Sequence, residues 1–209
     1  MSKLKKLFIV FEGIDGSGKS TQSKILHNRL VKLGYPSHHT AEPTKRPIGK
    51  MIREVFSEKL IVDELVVAGL FVADRLDHLL NHEDGIIDKL SSGEHVICDR
   101  YYLSSFAYQG VFTPMEWLIQ ANAKAIELLR PDITFYIDLD PKVSMQRINK
   151  ERTSKEIYET LENLILVRNN YLKAIKLFEQ KEKIITIDGS QGLETISEMI
   201  WNSVEELLV

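Results

Sequence analysis

The sequence predicts a doubly wound α/β fold in three layers, with helices on both faces of a central, mostly five-stranded parallel sheet. Short runs rich in β-branched and aromatic residues alternate with longer segments of helical periodicity. The runs FIVF and ITFYI are continuously apolar, which is typical of strands covered on both faces. The 209 residues contain no internal repeat and no Pro/Gly/Ser-rich linker, so we expect one domain over 1–209.

The strands and helices follow one another along the whole chain. We expect strands at 6–13, 95–100, 133–140 and 183–189, and a more polar edge strand at 37–43. We expect helices at 21–33 (closed by Gly34), 63–82, 114–129, 141–151, 157–181 and 192–208. The polar stretch NKERTSKE interrupts two helical patterns, which predicts a short mobile lid at about 147–158.

Composition restricts the partners of the chain. A net charge of −3 disfavours a general nucleic-acid binder, because binding to the phosphate backbone needs a basic excess. No apolar run approaches the roughly 20 residues of a membrane span, and the early run LFIVF is short for a signal peptide. The single cysteine, Cys98, lies in an apolar run and is interpreted as a buried strand residue. We therefore expect a reducing, cytoplasmic location and neither nucleic-acid nor membrane partners.

A phosphate-binding motif follows the first strand. The stretch GIDGSGKST fits the pattern G-x-x-x-x-G-K-[ST] and lies where the motif requires, between a strand and a helix. Lys19 is expected to reach the β- and γ-phosphates, and the Ser20 hydroxyl to ligate Mg²⁺. The predicted ATP-binding residues are Gly13, Ile14, Asp15, Gly16, Ser17, Gly18, Lys19, Ser20 and Thr21.

Several classes of protein bind a nucleoside triphosphate in this way. A GTPase switch would need the sequence N-K-x-D, but the only Asn-Lys pair, at 149–150, is followed by Glu-Arg. Motor and assembly ATPases usually carry more chain for coupling. The leading class is therefore a small phosphotransferase, and a non-catalytic nucleotide-binding module is the alternative.

Two groups of residues suit a second substrate. Phe71 and Arg75 are four residues apart and share a helix face, where a flat base could stack and find a hydrogen-bond donor. A core phenylalanine and a solvated arginine are the alternative interpretation. Asp99 and Arg100 end a strand, where ligands bind in open α/β sheets. Arg100 could grip a phosphate, and Asp99 could bind Mg²⁺ through water or orient Arg100, unless the two form a structural ion pair.

The motifs FEGIDGSGKST, EPT, FVADR, DRYYLSSFAYQG and RPDITFYIDLDP occur in this order over almost the whole chain. In this respect the sequence resembles the thymidylate kinase family, and DRYYLSSFAYQG is the most specific motif. The resemblance implies transfer of a phosphoryl group from ATP to dTMP with Mg²⁺, and a homodimer. A kinase for UMP or CMP, or for thymidine, is the alternative, and dUMP is an expected slow substrate because it differs by one methyl group.

The resemblance also implies where the thymine base would bind. Phe71 would stack on the ring, and Arg75 would bond its O4 edge. Ser105 and Gln109 would reach the polar edge of the ring, with Arg53 near the base. A basic surface loop is the alternative interpretation of the segment 42–53, which contains Arg53.

The sugar and phosphate of dTMP would bind on the other side. Arg100 would hold the phosphate, and Asp15 would take the 3′-hydroxyl. Glu42 would lie near the sugar and the phosphate, and Tyr108 would lie against the deoxyribose, where it excludes a ribose 2′-hydroxyl. Tyr158 matches a substrate-side tyrosine of some family members.

The predicted catalytic set is Lys19, Arg100, Asp15 and Arg152. Family members place an arginine over the transferred phosphoryl group from the phosphate loop or from the lid. Position 16 is glycine, so the lid must supply it, with Arg152 as the first candidate and Arg147 as the second. The segment EPTKR also departs from the EPGGT of many bacterial members, which leaves its loop conformation open and suggests a phosphate contact from Lys45 or Arg46.

Overall fold

The computed structural model describes residues 6–151, without the side chain of Glu151, and residues 160–208. Five parallel strands form one sheet in the order β2-β3-β1-β4-β5. The strands are β1 (Phe8–Glu12), β2 (Ser37–Ala41), β3 (His95–Asp99), β4 (Ile133–Asp138) and β5 (Ile184–Asp188).

Helices flank the sheet on both sides, so the predicted three-layer α/β class is confirmed. The helices are α1 (Lys19–Lys32), α2 (Pro47–Phe56), α3 (Glu64–Leu80), α4 (Ile86–Ser92), α5 (Tyr102–Tyr108), α6 (Met115–Ala121), α7 (Ala123–Leu128), α8 (Pro141–Glu151), α9 (Leu161–Phe178) and α10 (Leu193–Glu205). A short 3₁₀ helix at Gln109–Val111 continues α5. Within the described ranges, no helix is long and apolar enough to cross a membrane.

The sheet separates two apolar cores. Side chains alternate along β1, so that Phe8 and Val10 pack with α5 and α9, whereas Ile9 and Phe11 pack with α1 and α10. All four side chains are buried, which explains why the run is continuously apolar. A smaller apolar cluster between α2 and α3 contains Phe71.

One expectation about the elements was wrong, and two short helices were missed. The helix expected at 114–129 is two helices, α6 and α7, which meet at Asn122. The Asn122 amide is fully buried and donates to the Leu118 carbonyl at 2.8 Å, which competes with regular helix geometry. The short helices α4 and α5 were not predicted, because seven residues are too few to show a period. The polar strand β2 does lie at the edge of the sheet.

The chain order places the loops that matter at one end of the sheet. After β1 the chain builds β2 and β3 on one side, and it then crosses to build β4 and β5 on the other. The carboxyl ends of β1 and β3 therefore lie side by side at the switch in strand order. In open α/β sheets this crevice is where ligands bind.

Candidate active site

The loop between β1 and α1 has the backbone of a phosphate cradle. Gly13 and Gly16 have φ angles of 149° and 73°, which side-chain-bearing residues rarely adopt. A Cβ on Gly13 would lie 2.7 Å from the Ile137 carbonyl oxygen, so the position requires glycine. Because α1 begins at Lys19, the positive end of its dipole points into the loop. This geometry suits an anionic ligand.

Asp15 connects the phosphate loop to the stretch after β3. Its carboxylate accepts hydrogen bonds from Arg100 Nη2 at 2.6 Å and from the Tyr108 hydroxyl at 2.8 Å. Lys19 Nζ lies 3.4 Å from the same carboxylate. Burial alone would raise the pKa of Asp15, but Arg100 and Lys19 outweigh it and hold that pKa well below its usual range. Asp15 is therefore an anion shared between two cationic side chains.

Arg100 has an unusual backbone conformation. Its φ angle is 74°, the left-handed region, which costs a residue with a Cβ on the order of 1–3 kcal/mol. The surroundings fix this conformation, since the Arg100 N–H donates to the Phe11 carbonyl at 2.9 Å. The guanidinium lies 4.6 Å from the centre of the Tyr108 ring and remains partly exposed toward the cleft. Strain of this kind is concentrated at functional sites.

A cleft of about 280 Å³ opens between the phosphate loop and α3. This volume is close to the lower end of the range for small-molecule sites, about 300–1,000 Å³. Most residues predicted for the second substrate line it together: Asp15, Glu42, Arg53, Phe71, Arg100, Tyr108 and Gln109. Phe56, Glu64 and Pro43 line it as well and were not predicted.

Arg75 and Ser105 lie behind this lining rather than in it. The Arg75 side chain is fully buried, so the alternative of a solvated arginine is wrong. Its guanidinium donates to Glu42 at 2.9 Å, to Ser105 at 3.0 Å and to Asn122 at 2.5 Å. Arg75 Nη2 lies 2.7 Å from Glu42 Oε2 but is not aligned for a hydrogen bond to any described residue. Arg75 Nη2 is thus a hydrogen-bond donor that lies behind the residues lining the cleft.

The loop after β2 is held by side chains in place of the missing glycines. Thr44 donates its backbone N–H and its hydroxyl to the two carboxylate oxygens of Asp74, at 2.7 and 2.6 Å. Arg53 Nη1 donates to the Thr44 carbonyl at 2.5 Å, and Arg53 Nη2 donates to the Pro43 carbonyl at 2.8 Å. A Cβ on Gly49 would lie 1.9 Å from the Thr44 carbonyl, so the loop packs directly on α2. Arg53 therefore shapes the loop while lining the cleft.

The two cationic residues that follow Thr44 do not line this cleft. Arg46 Nε donates to Asp77 at 2.6 Å, and its Nη1 donates to Asp84 at 3.2 Å. The side chain of Lys45 is exposed, and neither residue lines the cleft. Neither residue is therefore positioned to contact a phosphate group bound in this cleft.

Ser20 and Asp99 are adjacent, as the proposal of a metal site requires. The Ser20 hydroxyl donates to Asp99 Oδ2, while Asp99 Oδ1 is buried without a hydrogen-bond partner among the described residues. A hydroxyl and a buried carboxylate oxygen are the hard oxygen ligands that Mg²⁺ prefers. In 6–151 and 160–208, no group of three or more His, Cys, Asp or Glu residues is arranged to hold a metal ion by itself. The residues therefore suit Mg²⁺ held mainly by water and phosphate oxygens.

Helix α8 contacts the phosphate loop directly. The Ser144 hydroxyl donates to the Asp15 carbonyl. Arg147 donates to the Gly16 carbonyl at 3.4 Å and to the Gly189 carbonyl at 3.1 Å. Arg147 thus joins the phosphate loop to the loop after β5. Helix α8 is therefore anchored at the phosphate loop.

Arg152 and Tyr158, which the sequence assigned to the lid and to the substrate side, lie outside the described residues. The structure also brings in residues that the sequence reasoning missed. Glu12, Ser104 and Tyr171 form a buried polar cluster directly behind Arg100. The only signal for it is a charged residue, Glu12, at the end of an otherwise apolar strand.

The fold and this site define a P-loop nucleotide kinase, because a phosphate cradle with Lys19 faces a cleft for a second substrate that contains Arg100. The family model for thymidylate kinase matches residues 11–200. A probable thymidylate kinase of Pyrococcus horikoshii is 40% identical over 198 residues, covering 92% of this chain and 94% of the relative. One of Thermococcus kodakarensis is 38% identical, covering 97% and 98%. The thymidylate kinase of Leptospira borgpetersenii is 36% identical, covering 92% and 90%. The chain belongs to the thymidylate kinase family.

Proposed function

We propose that the chain transfers the γ-phosphoryl group of ATP to dTMP, giving dTDP and ADP. The observation that carries this proposal is the cleft itself. Its lining includes Phe71, Arg100 and, from the phosphate loop, Lys19. An aromatic surface for a base and a guanidinium for a phosphate match the two ends of a nucleoside monophosphate.

The base is assigned to the α3 side of the cleft. Phe71 stacks on the thymine ring. Arg75 lies behind the lining with Nη2 2.7 Å from Glu42, so it bonds the O4 edge only when dTMP displaces the lining in front of it, with Ser105 orienting the guanidinium. Gln109 lines the cleft and serves the polar edge of the base. Arg53 acts mainly by fixing the loop beneath the base.

The sugar and phosphate are assigned to the side of the phosphate loop. Arg100 binds the acceptor phosphate, and Asp15 accepts the 3′-hydroxyl. Tyr108 packs against the deoxyribose, and Glu42 lies at the boundary between sugar and base. Because Asp15 and Arg100 are bonded to each other, the two contacts are fixed relative to one another.

Catalysis needs positioning and charge neutralisation, with no covalent intermediate. The acceptor phosphate is already anionic, so we assign no general base. Lys19 neutralises the transferred group from the phosphate loop, and we assign Arg152 the same role. Ser20 and Asp99 would hold Mg²⁺, which would neutralise charge on the β- and γ-phosphates when bound.

An enzyme-coupled assay of ADP release tests the proposal. Rates are measured with ATP, Mg²⁺ and, in turn, dTMP, dUMP, dCMP, dGMP and thymidine. The proposal predicts the highest kcat/KM with dTMP and slower turnover of dUMP, since one methyl group is worth about 1–3 kcal/mol. Equal rates with all acceptors, or a preference for thymidine, would contradict it.

We also propose a homodimer formed through α3. Three apolar side chains of this helix, Leu65, Val66 and Leu80, are about half exposed, and the family is usually dimeric. Light scattering should give twice the 24.0 kDa mass of the chain. Val66→Asp should give the single mass, and a monomeric wild type would refute this part.

We place the enzyme in the cytoplasm, where the ATP that it consumes is available. Cys98 is a buried free thiol whose pKa is raised by burial, as suits a reducing compartment. Labelling of the native protein should leave this thiol unmodified.

A further inference from the structure

The buried cluster behind Arg100 centres on Glu12, the last residue of β1. The Glu12 side chain has no exposed surface, and it lies directly before the phosphate loop. Its Oε1 accepts from the backbone N–H groups of Tyr101 at 2.8 Å and of Ser104 at 3.2 Å. Its Oε2 accepts from the Ser104 hydroxyl at 2.6 Å and from the Tyr171 hydroxyl at 2.9 Å. Oε1 therefore acts only as an acceptor, and the four donor groups around the two oxygens suit an ionised carboxylate.

We propose that Glu12 is a positioning residue that fixes the backbone and the guanidinium of Arg100 for the acceptor phosphate. This inference rests on the phosphate-binding role proposed above for Arg100. Glu12 does not line the cleft, so it acts through other residues.

The first route is through the backbone. Arg100 has a φ angle of 74° and lies between two fixed peptide groups. Its own N–H is bound to the Phe11 carbonyl at 2.9 Å, and the next N–H, of Tyr101, is bound to Glu12 at 2.8 Å. Glu12 thus fixes the peptide group that follows Arg100, in a backbone conformation that is unfavourable for a residue with a Cβ.

The second route is through two hydroxyl groups. Arg100 Nη1 donates to the Ser104 hydroxyl at 3.1 Å and to the Tyr171 hydroxyl at 3.3 Å. Each hydroxyl has one proton, and both hydroxyls lie within hydrogen-bond distance of Glu12 Oε2 and, at 2.8 Å, of each other. A hydroxyl that directs its proton to Glu12 presents its lone pairs to Arg100. The negative charge on Glu12 therefore influences which way the hydroxyl groups point toward Arg100, although Glu12 does not contact Arg100 directly.

Substitution by glutamine tests both routes at constant side-chain size. If the amide nitrogen replaces Oε2, it donates to the two hydroxyls, whose protons must then point toward each other, toward the Gly13 carbonyl or toward the cationic Arg100. If it replaces Oε1, it opposes the N–H groups of Tyr101 and Ser104. Either orientation breaks half of the network. Burial raises the pKa of Glu12 above its ordinary value, against the lowering effects of Ser104 and Arg100, so the carboxylate depends on these donors.

The experiment compares binding of dTMP and thymidine, which differ by the phosphate that Arg100 binds. Dissociation constants are measured by calorimetry for the wild type, Glu12→Gln and Tyr171→Phe. Glu12→Gln should weaken dTMP about tenfold or more, the equivalent of one hydrogen bond to a charged group. Thymidine affinity should change by less than about twofold. Tyr171→Phe should show the same selectivity with a smaller change, and it decides the question alone if Glu12→Gln does not fold.

Tyr102→Phe is the matched control. It loses a buried hydrogen bond of 2.6 Å to Glu182 in the same core, away from Arg100, and should leave both affinities unchanged. Equal weakening of dTMP and thymidine by Glu12→Gln would overturn the inference in favour of a general structural role, and so would unchanged dTMP binding.

The variant Arg100→Lys distinguishes failure of the inference about Glu12 from failure of the proposed phosphate-binding role of Arg100. Without a selective loss of dTMP affinity in that variant, the phosphate role of Arg100 is refuted and the inference about Glu12 falls with it. A selective loss in Arg100→Lys alone would refute only the inference.

Discussion

Tyr108 has two functions that substitution can separate. Its hydroxyl donates to the Asp15 carboxylate at 2.8 Å and accepts from the Asp15 N–H at 3.1 Å and from Arg100 Nη2 at 3.0 Å. Its ring lies against the Arg100 guanidinium and forms part of the cleft. The hydroxyl therefore orders two charged residues, while the ring is the proposed barrier to a ribose 2′-hydroxyl.

Tyr108→Phe removes the hydroxyl and keeps the ring. A hydrogen bond to a charged group contributes about 1.5–3 kcal/mol, so kcat/KM for dTMP should fall by roughly 10- to 150-fold. The preference for dTMP over its ribonucleotide analogue should stay at the wild-type ratio. Tyr108→Ala should lower kcat/KM as well and should also reduce that ratio, because the ring is absent.

The assay is coupled ADP release with both acceptors, over a range of concentrations that gives kcat and KM separately. Tyr108→Ala with an unchanged ratio would show that the ring does not exclude the 2′-hydroxyl. Tyr108→Phe with wild-type kcat/KM would show that the hydroxyl does not organise the charged pair.

Three other substitutions test separate parts of the molecule. Asp74→Asn cannot accept both hydrogen bonds from Thr44, so urea unfolding should show that the free energy of unfolding falls by about 1–3 kcal/mol. The KM for dTMP should rise, and the KM for ATP should stay unchanged. A wild-type free energy of unfolding together with a wild-type KM for dTMP would contradict the role of the Thr44–Asp74 pair. Burial, and then Lys6, lowers the pKa of His95 to about 4, so the unfolded chain binds a proton that the folded chain does not. The stability should therefore fall by about 3 kcal/mol as the pH drops from 6.5 to 4, and His95→Gln should flatten this dependence in urea titrations at several pH values. Arg152→Ala should lower kcat by about 10³-fold if it neutralises the transferred phosphoryl group, whereas a near-normal kcat would shift the role to Arg147.

Local patterns in the sequence were enough for the fold and for the phosphate loop. Continuously apolar runs and helical periodicity predict the parallel sheet, and the motif around Lys19 predicts the phosphate loop. Both predictions succeed because each of these patterns is formed by residues that are neighbours in sequence. The strand order places the ends of β1 and β3 together, which explains why residues quoted from separate motifs, such as Asp15, Phe71 and Arg100, meet in one cleft.

Contacts distant in sequence could not be predicted in this way. A helical pattern does not distinguish a solvated Arg75 from one buried between Glu42 and Asn122, and the same Asn122 interrupts the helix expected at 114–129. The proposed dependence of Arg100 on Glu12 is equally invisible, since Glu12 is linked to Arg100 through the peptide group of Tyr101 and through the hydroxyls of Ser104 and Tyr171, which is distant in sequence.

The loop after β2 is an intermediate case. Its departure from the family sequence was visible, but the compensation was not, because the partner of Thr44 lies on α3. Asp74 belongs to the motif FVADR, which was visible in the sequence, but the motif does not indicate that Thr44 is the partner of Asp74.

A crystal structure of the chain with dTMP and a non-hydrolysable ATP analogue tests the central claim most directly. The account predicts the acceptor phosphate at about 3 Å from the guanidinium of Arg100, the thymine ring against Phe71, and the triphosphate in the loop at Lys19. A nucleotide monophosphate bound outside this cleft, or bound with its base at Arg100 and its phosphate at Phe71, would contradict it.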